Sequence, residues 1–287
     1  MTNLNKPPLV SVCCVTYNHA QYIAEALDSF LMQKTDFDYE IIVGEDNSTD
    51  GTKEIVERYA AAYPDLISVI HQDPNVGAIK NQLATFAKAR GQYIAICDGD
   101  DFWTDDHKLQ KQIDFLETND NFVICSHHTE VIDDHGETVY LKQEPEKMEF
   151  DYLDLLLGRR EETRTCSVVM RNGDFLQTVH HQDWYYRTYG TDMFLKLYVL
   201  ELTQQKIYVM PDVMACYRLH RGGIWSMIDD KLRKHRMLSD FNIVVNHFSY
   251  TPQTKRSLLK IYMQQYLLFD LRHFKLNNAM NTLISLV

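Results

Sequence analysis

The apolar positions of this chain alternate between two spacings. Leu9 to Thr16 is an almost unbroken β-rich run without polar alternation, as expected of a strand covered on both faces. Tyr22, Ile23, Ala26, Leu27, Phe30 and Leu31 then recur at helical spacing. The pair repeats with a strand at Tyr39 to Gly44 and a helix carrying Ile55, Val56, Tyr59, Ala60 and Tyr63 on one side, stopped by Pro64. A third strand, Leu66 to His71, leads through the turn Asp73 to Gly77 into a helix ending near Ala89. The fourth, Tyr93 to Cys97, is bounded by Gly91 and by Asp98-Gly99, and stops abruptly in acid. Strand–helix alternation repeated in this way predicts right-handed βαβ crossovers and an α/β fold. Its sheet is doubly wound and mostly parallel, with helices on both faces.

Beyond Phe122 the pattern loosens. Val123 to Ser126 is strand-like, Val131 to Val139 reads as a hairpin centred on Asp134-His135-Gly136, and Tyr152 to Leu157 as a short amphipathic helix. Phe194, Leu195, Leu197, Tyr198 and Leu202 mark the inner side of a helix that begins behind Asp192. From Asp229 the pattern is helical. Its basic cluster, Lys231, Arg233, Lys234, His235 and Arg236, fits a solvated face better than a membrane- or partner-docking one. A further helix starts at Thr251-Pro252, and the sequence stops on Ile284 to Val287 without a cap, as in a truncated chain or one that docks elsewhere.

With 287 residues there is room for one large domain with an appendage, or for two small ones. The net charge of −11 argues against nucleic acid as a partner and means that a phosphate-bearing substrate needs a local cation. Cysteines 13, 14, 97, 125, 166 and 216 lack C-x-x-C spacing and mostly sit in apolar runs, the expectation for buried thiols of a cytosolic protein. Met1 to Pro8 has no apolar signal-peptide core, and no stretch approaches the roughly 20 apolar residues of a membrane span.

The candidate chemistry lies where the fourth strand ends. Asp98, Asp100 and Asp101 place three carboxylates within four residues. Unit charges 4 Å apart repel by about 4 kcal/mol at an effective dielectric of 20, so a cation or solvent must relieve them. Mg²⁺ or Mn²⁺ would do so, held by one or two carboxylates with phosphates and water. The plain alternative is an exposed turn capping the helix that starts near Lys108. Doubly wound sheets bind ligands beyond the carboxyl ends of their strands, which sets Thr16-Tyr17-Asn18, Asp46, Asn75 to Gly77 and Asp98 to Asp101 along one rim. There is neither a G-x-G-x-x-G after the first strand nor a P-loop, so side chains and a metal would have to hold any phosphates. His127 and His128 are adjacent on a strand, point to opposite faces, and are expected to be structural.

In this order, Val10 to Asn18, Glu45 to Thr52, Asn75-Val76-Gly77 with Asn81, and Asp98-Gly99-Asp100-Asp101 resemble the family-2 glycosyltransferases of the GT-A fold, over roughly residues 8–225. The resemblance implies a catalytic domain at 1–228, with a nucleotide-sugar half at 8–103 and an acceptor half at 104–228, followed by a C-terminal helical extension at 229–287. It assigns the base and ribose to Thr16, Tyr17, Asn18 and Asp46, with Asn75, Gly77 and Asn81 beside them. It assigns sugar and ribose contact to Asp98 and the metal to Asp100, with help from Asp101. Thr165 to Arg171 resembles the strand that floors the acceptor side. Asp192 matches the family's general base; a helix cap is its plain reading, and the two are compatible. Cys216 to Ser226 resembles the family's Tyr-Arg-x-His segment, which gives Arg218 to the phosphates and His220 to the metal or the diphosphate, ahead of a Gly222-Gly223 loop that could act as a lid.

The implied activity is inverting single displacement with Mn²⁺ or Mg²⁺, from a nucleoside-diphosphate sugar, UDP favoured, to a hydroxyl of a glycan or lipid-linked glycan. The implied setting is surface polysaccharide synthesis in the cytoplasm, with peripheral contact at the inner membrane face through 229–287 left open. Two other readings stay in play. A noncatalytic sugar-nucleotide-binding scaffold would need none of the catalytic groups. A nucleotidyltransferase would want a basic or glycine-rich loop where Thr16 to His19 stands.

Overall fold

The computed structural model describes residues 7–223, 228–272, 275–277 and 279–280. The first half is a strand–helix alternation: β1 (Val10–Thr16), α1 (Ile23–Leu31), β2 (Tyr39–Glu45), α2 (Thr52–Ala62), β3 (Ile67–His71), α3 (Ala78–Lys88) and β4 (Tyr93–Ile96). There follow β5 (Phe102–Trp103), α4 (Lys108–Thr118), β6 (Phe122–Asp133), β7 (Thr138–Tyr140), β8 (Met148–Phe150) and α5 (Tyr152–Leu156). The chain continues through β9 (Val169–Arg171), α6 (Asp174–Thr178), α7 (Thr191–Thr203) and β10 (Lys206–Leu219) to α8 (Asp230–His247), α9 (Pro252–Tyr262) and α10 (Leu268–Arg272).

The strands form one sheet in the order β3-β2-β1-β4-β9-β6-β10-β5, with β7 on β6 and β8 on β10. Its first four strands are parallel, as the apolar runs predict. From β9 onward antiparallel partners enter, although β6 and β10 pair in parallel. β10 was not legible upstream of Cys216. Pro211 lacks a ladder donor, and the pairing with β6 shifts register between Met210 and Val213, which breaks the periodicity of the strand.

Side chains of a strand point alternately to its two faces, so β1 feeds two cores. Val10, Val12 and Cys14 pack with Ile23, Leu27 and Phe30 of α1 and with Leu109 and Ile113 of α4. Cys13 joins the opposite cluster, with Phe86 of α3, Phe194 and Leu197 of α7, and Ile243, Val244 and Phe248 around α8. Each such side chain contributes about 1.5–3 kcal/mol by leaving water. The C-terminal helices therefore share the interior of the sheet domain; Trp184 meets Phe248 edge-on at 4.9 Å. All six cysteines are buried and unpaired. Among the described residues no helix is long and apolar enough to cross a membrane.

Candidate active site

The loops beyond β1 to β4 are tied into a single rim. Asn18 sits at φ 56°, a left-handed conformation that asparagine tolerates. Its Oδ1 accepts from Thr49 N at 2.8 Å, and its own N–H donates to Ser48 Oγ at 3.0 Å. Ala20 N–H donates to Asp50 at 3.0 Å. Asp46 is 2% exposed and gives both carboxylate oxygens to the next loop, accepting from Val76 N at 2.7 Å and Gly77 N at 2.9 Å. Asn75 Nδ2 returns a bond to Asp46 O at 2.7 Å. Asn81 is likewise engaged, donating to Gly44 O at 2.7 Å; a Cβ at Gly44 would lie 2.5 Å from its Oδ1. Asp46 and Asn81 thus shape the rim, while Tyr17, 45% exposed, offers a free ring at its edge.

Gly99 turns the chain back against β1, where a Cβ would come within 2.8 Å of Thr16 and of Ile23. That approach presents the three carboxylates in different directions. Asp98 projects among buried groups, and its Oδ1 has no hydrogen-bond partner, like Thr16 Oγ1 beside it. Burial, with the charges of Asp100 and Asp192, pushes the Asp98 carboxyl up to about 8. Asp101 is buried and turned away, accepting from Arg218 N at 2.8 Å. Burial pushes it up as well.

Asp100 Oδ2 instead accepts from His220 Nε2 at 2.8 Å and lies 3.8 Å from His19 Nε2. Burial would raise Asp100, yet the hydrogen bond from His220 and the neighbouring imidazoles hold it below the usual carboxylate range. Arg218 completes the group. It pairs with Glu25 at 2.7 Å, donates to Asp100 O at 3.2 Å and stacks over Tyr22 at 4.7 Å.

One ligand atom from each of His19, Asp100 and His220 lies within 4.8 Å of the others. These residues fit a divalent cation: two imidazoles and a carboxylate converge, and Asp98 Oδ1, in the same turn as Asp100, is buried without a partner. Asp101 stands outside this trio because its Oδ1 serves the Arg218 backbone. His127 and His128 do not share a site, as expected; each bonds a different backbone carbonyl, of His128 at 2.7 Å and of Glu146 at 2.8 Å.

Asp192 stands in the first turn of α7, whose N-cap is Gly190, with no side chain capping it. Its partner is Lys196, one turn on, at 2.9 Å. Lys196 is buried and also donates to Thr163 O at 2.5 Å. Burial works to raise the Asp192 carboxyl, but the ammonium holds it below its ordinary value, so it is ionised at neutral pH. A cleft of about 950 Å³ joins Asp192 to Thr16, Tyr17, Asp46, Asp98 and Asp100, with Asn75, Gly77, Asn81, Asp101 and Arg218 also on its wall. Asn18 and His220 lie outside its lining.

Sequence reasoning missed His19, Glu25 and Lys196. His19 had a readable signal, since it follows Asn18 on the predicted rim; Lys196 lies four residues beyond Asp192, where a helix brings side chains together. The lid expected beyond Gly223 falls on 224–226, outside the described residues.

The glycosyl transferase family 2 model matches residues 11–200. An uncharacterized protein of Mycobacterium tuberculosis is 37% identical over 228 residues, 75% of this chain and 60% of that protein, so the match spans less than two thirds of the relative's length. A Bacillus subtilis protein named as a teichuronic acid biosynthesis glycosyltransferase, TuaG, is 38% identical over 112 residues, 39% of this chain and 43% of its own. Among solved structures, residues 1–349 of TarS from S. aureus, in complex with UDP-GlcNAc, align with a TM-score of 0.68 at 18% identity, covering 95% of this chain and 79% of that one. The mannosyltransferase PcManGT of Pyrobaculum calidifontis, in complex with GDP-Man and Mn²⁺, aligns at 0.66 and 18% identity, covering 99% and 76%. Both share the fold of this chain.

Proposed function

Because the chain belongs to glycosyl transferase family 2, we propose that it moves a sugar from a nucleoside diphosphate, UDP favoured, to a hydroxyl of a glycan or lipid-linked glycan, in the assembly of a polysaccharide. The observation that carries this reading is the cleft itself, which sets an ionised carboxylate, Asp192, across from the acidic turn after β4. The relative named for teichuronic acid biosynthesis supports the polysaccharide setting, and the complexes with UDP-GlcNAc and GDP-Man support a nucleotide-sugar donor.

In this reading the rim from Thr16 to Gly77 receives base and ribose, with the Tyr17 ring against the base. Asp98 faces the sugar and ribose hydroxyls. Arg218 lies beside Asp100 and meets the diphosphate charge. Asp100 and His220 would hold a divalent cation, which would neutralise the negative charge that develops on the departing phosphate. Asp192 takes the proton of the acceptor hydroxyl while its oxygen bonds to the anomeric carbon, and the bond to the phosphate oxygen breaks with its electron pair on the nucleoside diphosphate. Attack from the opposite face inverts the configuration. Lys196 holds Asp192 in place and ionised throughout. Residues 1–228 carry this machinery in our reading, and Arg233, Met237, Phe241, Val244 and Leu258 from the helices beyond complete the cleft wall.

Thermal shift with UDP, dTDP, GDP and CDP, each with and without Mn²⁺, tests the proposal. A bound nucleotide at a hundred times its Kd adds about 2.7 kcal/mol and raises the midpoint by several degrees. Asp192→Asn should keep that shift and lose transfer by roughly 10²–10⁴-fold. No shift with any nucleotide would overturn the reading in favour of a scaffold, and full transfer by Asp192→Asn would remove Asp192 from the reaction.

A further inference from the structure

The three side chains that converge beside the acidic turn come from distant stretches of chain. His19 belongs to the loop between β1 and α1, Asp100 to the turn between β4 and β5, and His220 to the end of β10. We infer that His19 is a third protein ligand for the cation of this site. With two imidazoles and one carboxylate, the site then selects a transition ion such as Mn²⁺ or Co²⁺ over Mg²⁺ and fills before any nucleotide arrives. The inference rests on the donor reading above for what the nucleotide adds, but not for the binding of the ion.

Magnesium keeps its waters, demands oxygen ligands, and typically takes one or two carboxylates with substrate phosphates completing the shell. A pair of carboxylates in a turn would suit that habit. This site is different: Asp101 is committed to the Arg218 backbone, and the groups that face Asp100 are nitrogens. Imidazole favours the later divalent ions. Three ligands supplied by the protein also reduce the dependence on phosphate oxygens.

The ligands are held in place. Thr52 Oγ1 fixes the backbone of His19 at 2.8 Å, and the His19 and His220 rings meet edge-on at 5.8 Å. Gly222 N–H lies 3.2 Å from His220 Nδ1, which leaves Nε2 turned to Asp100. In the same acidic turn as Asp100, Asp98 Oδ1 is buried without a hydrogen-bond partner, an independent sign of a polar occupant.

The test uses untagged, chelator-treated full-length protein and Mn²⁺ as the probe, first without nucleotide. Isothermal titration should give one Mn²⁺ per chain, at least tenfold tighter than Mg²⁺, and pulsed electron paramagnetic resonance of the bound ion should show nitrogen coupling from two imidazoles. His19→Ala should weaken Mn²⁺ at least as much as the roughly tenfold that loss of a mere outer-shell partner costs. It should also leave one imidazole coupling, with circular dichroism confirming the fold. The wild-type resonance decides the matter if the variant does not fold. Coupling to one imidazole or none, or Mn²⁺ binding only after UDP is added, overturns the inference. In the second of those outcomes the donor reading survives, whereas UDP failing to bind with every metal would sink the donor reading and leave the metal result to stand by itself.

Discussion

Asp46 and Asp192 are both carboxylates on the wall of one cleft, yet their surroundings give them different work. Asp46 has both oxygens filled by backbone N–H groups of the neighbouring loop, so it acts as a brace. Replacing it with alanine leaves two half-buried N–H groups unpaired, and the loss should be about 1–2 kcal/mol in urea unfolding; a variant as stable as the wild type would show that the loop holds without it. Asp192 is 40% exposed in its side chain, lines the cleft, and accepts from Lys196 through Oδ2.

Lys108 is a buried charge without a carboxylate partner among its hydrogen bonds. Its Nζ donates to Gln112 Oε1 at 2.7 Å and lies 4.3 Å over the Trp103 ring. Burial pushes its pKa down to about 8 from 10.5. Between those values the unfolded chain holds the extra proton, so stability rises with pH across that window and is diminished below it. At 1.36 kcal/mol per unit, the wild type should gain about 3 kcal/mol on Lys108→Met between pH 8 and 10.5. Parallel stability curves for the two proteins would refute it.

At the level of elements, β1, β2 and β4 could be read because each is buried on both faces and therefore appears as an uninterrupted apolar run, whereas β3, at the sheet edge, is mostly half-buried and was read from its place in the strand–helix alternation. The same clarity located Asp98 and Asp100, which stand where a run ends. β10 escaped because Pro211 and Asp212 interrupt it, and its partner β6 lies more than seventy residues away. The contribution of α8 to the site was illegible for another reason: Asp240 makes its contacts with backbone. Its Oδ1 accepts from Tyr189 N and its Oδ2 from Gly190 N, each at 2.9 Å, and so it grips the turn that launches α7 and Asp192. No pattern of side-chain types can announce a bond to a main chain fifty residues earlier. Asp240→Ala should lower kcat by about tenfold or more with little change in the KM for donor, since the base is displaced while the rim is untouched. Equal changes in both constants would show that the whole cleft had collapsed.

Over the whole molecule, the excess of acid that the sequence displays continues into the cleft, where Arg218 and Lys196 share the wall with Asp46, Asp98, Asp100, Asp101 and Asp192 and are themselves paired with Glu25 and Asp192. A diphosphate approaching this wall would therefore need a bound cation to offset the carboxylates. The family resemblance was legible from four short stretches in order, and with it Asp100 and His220, whereas the approach of His19 to that pair became visible only when three loops were brought together. The sheet also divides the interior: Phe30 lies in the cluster on one face and Phe194 in the cluster on the other. Energetic perturbations should then stay on the side where they are made. Phe30→Ala and Phe194→Ala should each cost about 3–5 kcal/mol, and their combination should equal the sum to within about 0.5 kcal/mol, or the plane of hydrogen-bonded backbone is transmitting strain. With such insulation, substitutions that retune the α7–α8 face would leave the fit of α1 and α4 against the other face undisturbed.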